Sequence, residues 1–291
     1  MNKERKPNIS RTEFRKICQL GLVILGILSM ANGTELWRWL RDKKFEEVEK
    51  EMDTMYGLPA TATVQSPEIQ QNITGKLFKA SGIIIYDGQL SGCSTTIIGK
   101  DTEAGLVYLL TAGHCISNDF QSLTIVQPQL NGGEAITVGK NKVNTVIHPE
   151  YQMIFNHYKK DLAVIAVNSW EATEMLETVD YELGKKLTIK DKLCAMAFPA
   201  FQGVKGLNDW LAIETKVKKN IFGKPARRGN GYILDTSAWP GESGTGVGIC
   251  NENKIVGVLV SGDFMNGTTQ IEMLDKEIEI MIKTAQSDLL R

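Results

Sequence analysis

Apolar and polar positions change rhythm several times along the 291-residue chain. Residues 1–16 are polar, and residues 17–31 (I-C-Q-L-G-L-V-I-L-G-I-L-S-M-A) carry no charge. Beyond them Leu36, Leu40, Val48, Met52 and Met55 recur at helical spacing among dense charges, predicting an amphipathic helix over 34–56 that begins at Thr34-Glu35. Residues 57–75 are polar, contain Pro59 and Pro67, and read as a linker. From Lys76 the pattern turns to short β-rich runs separated by Gly, Asp or Asn: 83–86, 95–98, 106–110, 123–126 and 143–147. A second series follows at 187–189, 193–198, 211–217, 231–234 and 255–260, and residues 273–283 are helical in period. Two sets of short strands predict an all-β domain of two antiparallel barrels, with a C-terminal helix and an N-terminal helical extension. The organisation expected is therefore 1–31, then 32–75 as extension and linker, then 76–291 as one domain.

Charge changes the reading of the first segment. Residues 1–16 hold six Lys/Arg against two Glu, ahead of a 15-residue apolar run that ends in Ser29-x-Ala31. That is the layout of a signal peptide cleaved after Ala31. Fifteen residues are short for a spanning helix, but Trp37 and Trp39 would suit an interfacial belt, so membrane anchoring through 17–31 stays open. Either outcome exports the rest of the chain to a secreted or extracytoplasmic location. Residues 32–291 carry 27 Lys/Arg against 32 Asp/Glu, which gives no nucleic-acid surface.

Candidate chemistry centres on residues 239–248, W-P-G-E-S-G-T-G-V-G. Ser243 stands among glycines that let backbone amides approach a substrate closely. Upstream lie residues 109–115 (L-L-T-A-G-H-C) and 161–167 (D-L-A-V-I-A-V). His114 could act as general base for Ser243, with Asp161 holding the imidazole's tautomer. The bland alternative for Asp161 is a surface turn carboxylate after Lys159 and Lys160, but the apolar run directly after it puts it at a strand mouth. The order His, Asp, Ser argues against an α/β-hydrolase, where Ser comes first and His last. A metal site from His148 and His157 lacks a compact ligand spacing, and neither metal nor cofactor is expected. Four cysteines, Cys93, Cys115, Cys194 and Cys250, admit three pairings or four free thiols. Cys18 sits apart in the apolar run.

The three stretches resemble the chymotrypsin/trypsin-like serine peptidases, whose hallmarks are T-A-A-H-C, D-[IL]-A-L and G-D-S-G-G-P. The resemblance covers about residues 80–285 and departs at Gly113, Glu242 and Thr245-Gly246. It implies two six-stranded barrels with the site between them, and a catalytic triad of His114, Asp161 and Ser243. It further implies an oxyanion hole from the amides of Gly241 and Ser243, and disulfides Cys93–Cys115 and Cys194–Cys250. His148, in H-P-E-Y, matches a structural histidine of the family, and Glu242 is expected to support the oxyanion loop. Ser237 falls at the base of the primary pocket and Leu259, Ser261 and Gly262 along its wall. Without a carboxylate at Ser237, an uncharged or small substrate residue is expected rather than Lys or Arg. Residues 81–88 (S-G-I-I-I-Y-D-G) hold no cleavable I-V-G-G terminus, and residues 235–244 are similar to the bacterial glutamyl-endopeptidase branch. The function implied is an exported serine endopeptidase acting on protein or peptide substrates. The alternative is a silent member of the family that uses its barrels as a binding module.

Overall fold

The computed structural model describes residues 76–127, 135–154, 157–197, 211–236, 238, 241–250, 252–263 and 267–290. The signal or anchor segment, the helix expected at 34–56 and its linker lie outside these residues, as do Ser237 and the side chain of His157. Among the described residues no helix is long and apolar enough to cross a membrane.

A short helix, α1 (Lys76–Ala80), leads into the first set of strands: β1 (Ser81–Tyr86), β2 (Gln89–Asp101), β3 (Leu106–Thr111), β4 (Ser122–Val126), β5 (Ala135–Gly139) and β6 (Val143–Ile147). A small ribbon follows, β7 (Gln152–Ile154) with β8 (His157–Lys159), then β9 (Ala163–Asn168) and helix α2 (Trp170–Met175). The second set is β10 (Asp180–Tyr181), β11 (Lys192–Ala197), β12 (Leu211–Lys216), β13 (Arg227–Arg228), β14 (Gly231–Leu234), β15 (Gly246–Ile249), β16 (Lys254–Asp263) and β17 (Thr268–Met273). Helix α3 (Glu277–Leu289) ends the chain.

These strands form two curled sheets. The first has seven strands in the order β5-β4-β1-β2-β3-β9-β6. The second has eight, running β12-β11-β15-β16-β17-β14-β13 with β10 added in parallel on β16. The all-β class and C-terminal helix match the expectation from the sequence, but the sheets carry seven and eight strands rather than six each. Residues 187–189, expected as a strand, lie in irregular backbone and a turn, where the Leu187 amide donates to the buried Tyr232 hydroxyl at 3.1 Å.

Burial explains which runs were readable. β1 and β3 are buried at every position, so they appear as continuous apolar blocks. Helix α3 buries Ile278, Met281 and Ala285 on one stripe and packs on β6 and β9. In the sequence its apolar period begins at Met273, yet Met273 closes β17 and the helix starts four residues later. Asp275 marks that start by accepting the Glu277 amide at 3.1 Å.

Candidate active site

The site is built where β2 and β3 of the first sheet meet the turn before β15 of the second. The turn at 241–245 is wound tightly. Gly241 and Gly244 have φ of 95° and 92°, a region that L side chains rarely adopt. Space forbids a side chain at Gly244 as well, because an added Cβ would lie 2.0 Å from the Ser94 carbonyl oxygen and 2.2 Å from Thr111 Oγ1. The Gly244 amide donates to the Leu259 carbonyl at 2.8 Å, and the Leu259 amide donates to the Thr245 carbonyl at 2.9 Å. Glu242 is fully buried, and its carbonyl accepts from both the amide (3.2 Å) and the hydroxyl (2.7 Å) of Thr245. These bonds close the turn through the Glu242 backbone.

The turn is tied across to the first sheet through Ser94, which sequence reasoning overlooked. Its amide donates to the carbonyls of Gly241 (2.9 Å) and Ser243 (2.8 Å), and its hydroxyl donates to Gly241 again at 2.9 Å. Two residues on, Thr96 Oγ1 accepts the Gly246 amide at 2.8 Å. The only trace of this in the sequence is a polar S-T-T between Cys93 and the apolar Ile97-Ile98. With their carbonyls pinned, Gly241 and Ser243 keep amides that find no acceptor among the described residues. Such amides are what an oxyanion site requires.

His114 lies in a single helical turn after β3, at residues 113–115, and is about a quarter exposed. Asp161 is completely buried just ahead of β9 and grips it twice. Oδ1 accepts the His114 amide at 2.8 Å, and Oδ2 lies 2.6 Å from His114 Nδ1. A carboxylate can only accept, so Nδ1 carries a proton, and in the neutral imidazole Nε2 is the basic nitrogen. The surface-turn reading of Asp161 is therefore wrong. Gly113, where the family motif has Ala, has a steric explanation: an added Cβ would sit 3.0 Å from Asp161 Oδ1, 3.2 Å from Ile147 and 3.3 Å from the Tyr151 ring.

Disulfides join Cys93 to Cys115 and Cys194 to Cys250, as the resemblance implied. The first lies beside the His114 ring, with ligand atoms of Cys93, His114 and Cys115 within 4.8 Å of one another. The two sulfurs are bonded to each other, so they are not thiolate donors for a metal. Cys115 Sγ also lies 3.8 Å from the Ser243 carbonyl oxygen, a packing contact because a bridged sulfur has no proton to give. The bridge therefore ties the turn that carries His114 to β2 and packs against the Ser243 turn.

A charged cluster supports Asp161 from behind. Lys160, in the left-handed region at φ 52°, turns its ammonium onto Asp275. His148 is buried as expected for a structural histidine; its Nδ1 accepts the Glu150 amide at 3.1 Å and its Nε2 lies 3.6 Å from Asp275 Oδ1. Burial pushes the Asp275 carboxyl up, but Lys160, the Glu277 amide and His148 together hold it below its ordinary value. Glu272 is fully buried on β17, both carboxyl oxygens shut off from solvent. Burial, reinforced by the charges of Asp161 and Asp275, outweighs the pull of Lys160 and pushes it up to about 7.

Of the expected pocket, Leu259 is buried in the second core, Ser261 is half-buried, and Gly262 is exposed beside Ala238. A cavity of about 570 Å³ lies elsewhere, lined by residues of the β2–β3 turn and α3 that include none of His114, Asp161 and Ser243.

No curated protein sequence matches the chain. Among solved structures it is similar to the serine endoprotease from Yersinia pestis, at 15% identity and a TM-score of 0.48, over 78% of this chain and 68% of that one. The family model for trypsin matches residues 85–276, a span that contains both sheets' central strands, His114, Asp161 and the Ser243 turn. The chain belongs to the trypsin family.

Proposed function

We propose that the chain is an exported serine endopeptidase with Ser243 as nucleophile, His114 as general base and then acid, and Asp161 as the group that orients and stabilises the imidazole. The observation that carries this reading is the double grip of a fully buried Asp161 on His114, which leaves Nε2 as the basic nitrogen.

The steps follow from that tautomer. Nε2 takes the Ser243 hydroxyl proton as Oγ attacks the substrate carbonyl, and Asp161 stabilises the imidazolium that results. Negative charge gathers on the carbonyl oxygen, and the Gly241 and Ser243 amides stabilise it; one such donor is worth about 3 kcal/mol of barrier. The imidazolium then passes its proton to the leaving amine, the C–N bond breaks, and an acyl-Ser243 ester remains. Water, deprotonated by Nε2, hydrolyses that ester and restores the hydroxyl.

Both disulfides favour an oxidising compartment, in line with export. Within the family, the D-T-S-A-W-P-G-E-S-G stretch over 235–244 supports a place near the glutamyl-endopeptidase branch. Ser237, Ser261 and Gly262 fit a pocket for an uncharged or small residue. The test is hydrolysis of a casein substrate by the full chain and by Ser243→Ala. We expect cleavage by the first and none by the second. Equal cleavage would refute the serine mechanism, and no cleavage by either folded protein would leave a binding module as the function.

A further inference from the structure

The turn at 220–223 (N-I-F-G) is rigidly built and apolar at its tip. The Asn220 side-chain oxygen accepts the amides of Phe222 at 2.9 Å and Lys224 at 3.0 Å. The Asn220 amide donates to the Lys224 carbonyl at 2.9 Å, and Gly223 takes φ 71° to close the turn. Below it, Lys219 bridges Pro225 and the Ala226 amide donates to the Lys218 carbonyl at 2.7 Å, so the arm is a true hairpin.

Turn tips normally carry Asp, Asn, Ser, Gly or Pro. Here they carry Ile221 and Phe222, 91% and 78% exposed. The turn's own hydrogen bonds prevent the pair from folding back onto the domain. Along the chain on either side come Lys216, Lys218, Lys219, Lys224, Arg227 and Arg228, with no Asp or Glu between 216 and 234; of these, the Arg227 guanidinium lies over the Tyr232 ring, 4.7 Å from its centroid, and donates to the Tyr232 hydroxyl. Among the described residues none of these six cations is paired with an acid. The nearest carboxylate along the chain beyond β14, Asp235, shares a cavity with Lys216, Lys218 and Lys219. This local positive charge stands on a domain whose overall balance is negative, so it gives any approach to an anionic surface a preferred orientation.

We propose that this hairpin docks the protein onto an anionic phospholipid bilayer, with Ile221 and Phe222 entering the upper acyl region while the flanking Lys and Arg meet lipid phosphates. The pairing of an apolar tip with a basic collar selects this partner. A soluble polyanion would satisfy the cations and leave the tip in water, whereas a second copy would bring one basic collar against another. A bilayer surface offers hydrocarbon and negative charge at the matching depths.

The experiment places an environment-sensitive fluorescent amino acid at position 222 of the full-length chain. Vesicles carry nitroxide lipids labelled high on the acyl chain, either neutral or with about 30% phosphatidylglycerol. Because the probe reports only its own depth, binding through residues 17–31 cannot mimic the signal. We expect quenching on anionic vesicles, little on neutral ones, and partition at least about tenfold weaker after K218Q/K219Q/K224Q. A probe that stays unquenched, even when the chain sediments with the vesicles, overturns the proposal. So does quenching that is indifferent to lipid charge. A probe hidden without lipid, in step with dimer formation, would assign the tip to a second copy instead.

Discussion

Asp161 holds His114 by both carboxylate oxygens, one on the ring nitrogen Nδ1 and one on the backbone amide of the same residue. The ring can therefore neither flip nor slide along the chain without breaking a charge-assisted bond to a fully buried carboxylate. Replacing Asp161 with Asn keeps the shape but allows the amide to donate, which favours the tautomer with the proton on Nε2. We expect kcat to fall by about 10³- to 10⁴-fold with KM little changed. A loss of less than tenfold on a peptide substrate would show that the pair is only structural.

Gly113→Ala tests the same geometry from the other side. The new methyl would press on Asp161 Oδ1, Ile147 and the Tyr151 ring, all within 3.3 Å of its ideal position. Asp161 would have to yield by a few tenths of an ångström. The expected outcome is about a tenfold loss in kcat and roughly 1 kcal/mol of stability, read from steady-state kinetics and urea unfolding. An unaffected kcat would mean that Asp161 has room to spare.

Glu272 supplies a pH dependence of stability. Its carboxyl titrates near 4.5 when exposed and at about 7 in the fold. Between these values the folded chain holds a proton that the unfolded chain has released, so this group's contribution makes stability fall as pH rises through that window. Above about 7 the penalty is constant, on the order of 3 kcal/mol. Glu272→Gln should therefore stabilise the protein at pH 8 and give no gain near pH 4, measured by urea unfolding at both values. A gain of equal size at both would place the effect in packing rather than charge.

Much of this is legible in the sequence, and the reasons are local. The segments carrying His114 and Asp161 follow or precede strands buried on both faces, which announce themselves as apolar blocks. Ser243 is marked by glycines that the turn requires. The strand β17 was missed because all six of its residues are buried, two Thr, a Gln and a Glu among them, so it shows neither alternation nor an apolar run. Glu272 was invisible for the same reason: only the fold brings it near Asp161. Ser94 acts through its backbone across 149 residues to Ser243, and nothing in either local pattern records that partnership. The tip at Ile221 and Phe222 lies past the strand expected at 211–217, and only its exposure reveals it.

Ser94 gives a further prediction. Its hydroxyl bond to the Gly241 carbonyl steadies one side of the amide pair, while its own amide would persist in Ser94→Ala. Loss of the hydroxyl should cost about 1 kcal/mol of stability. It should lower kcat by about tenfold, with KM nearly unchanged, because a loosened amide matters most in the transition state. Kinetics that match the wild type would show that the two amide bonds suffice.

The most direct measurement is covalent labelling of the folded full-length protein with a fluorophosphonate, followed by peptide mapping. The reagent phosphonylates a serine only where a base has activated its hydroxyl and donors await the oxyanion. The account predicts a single adduct on Ser243, abolished by Ser243→Ala and reduced by orders of magnitude in His114→Ala. An unlabelled but folded wild type, or an adduct on another serine, would contradict it.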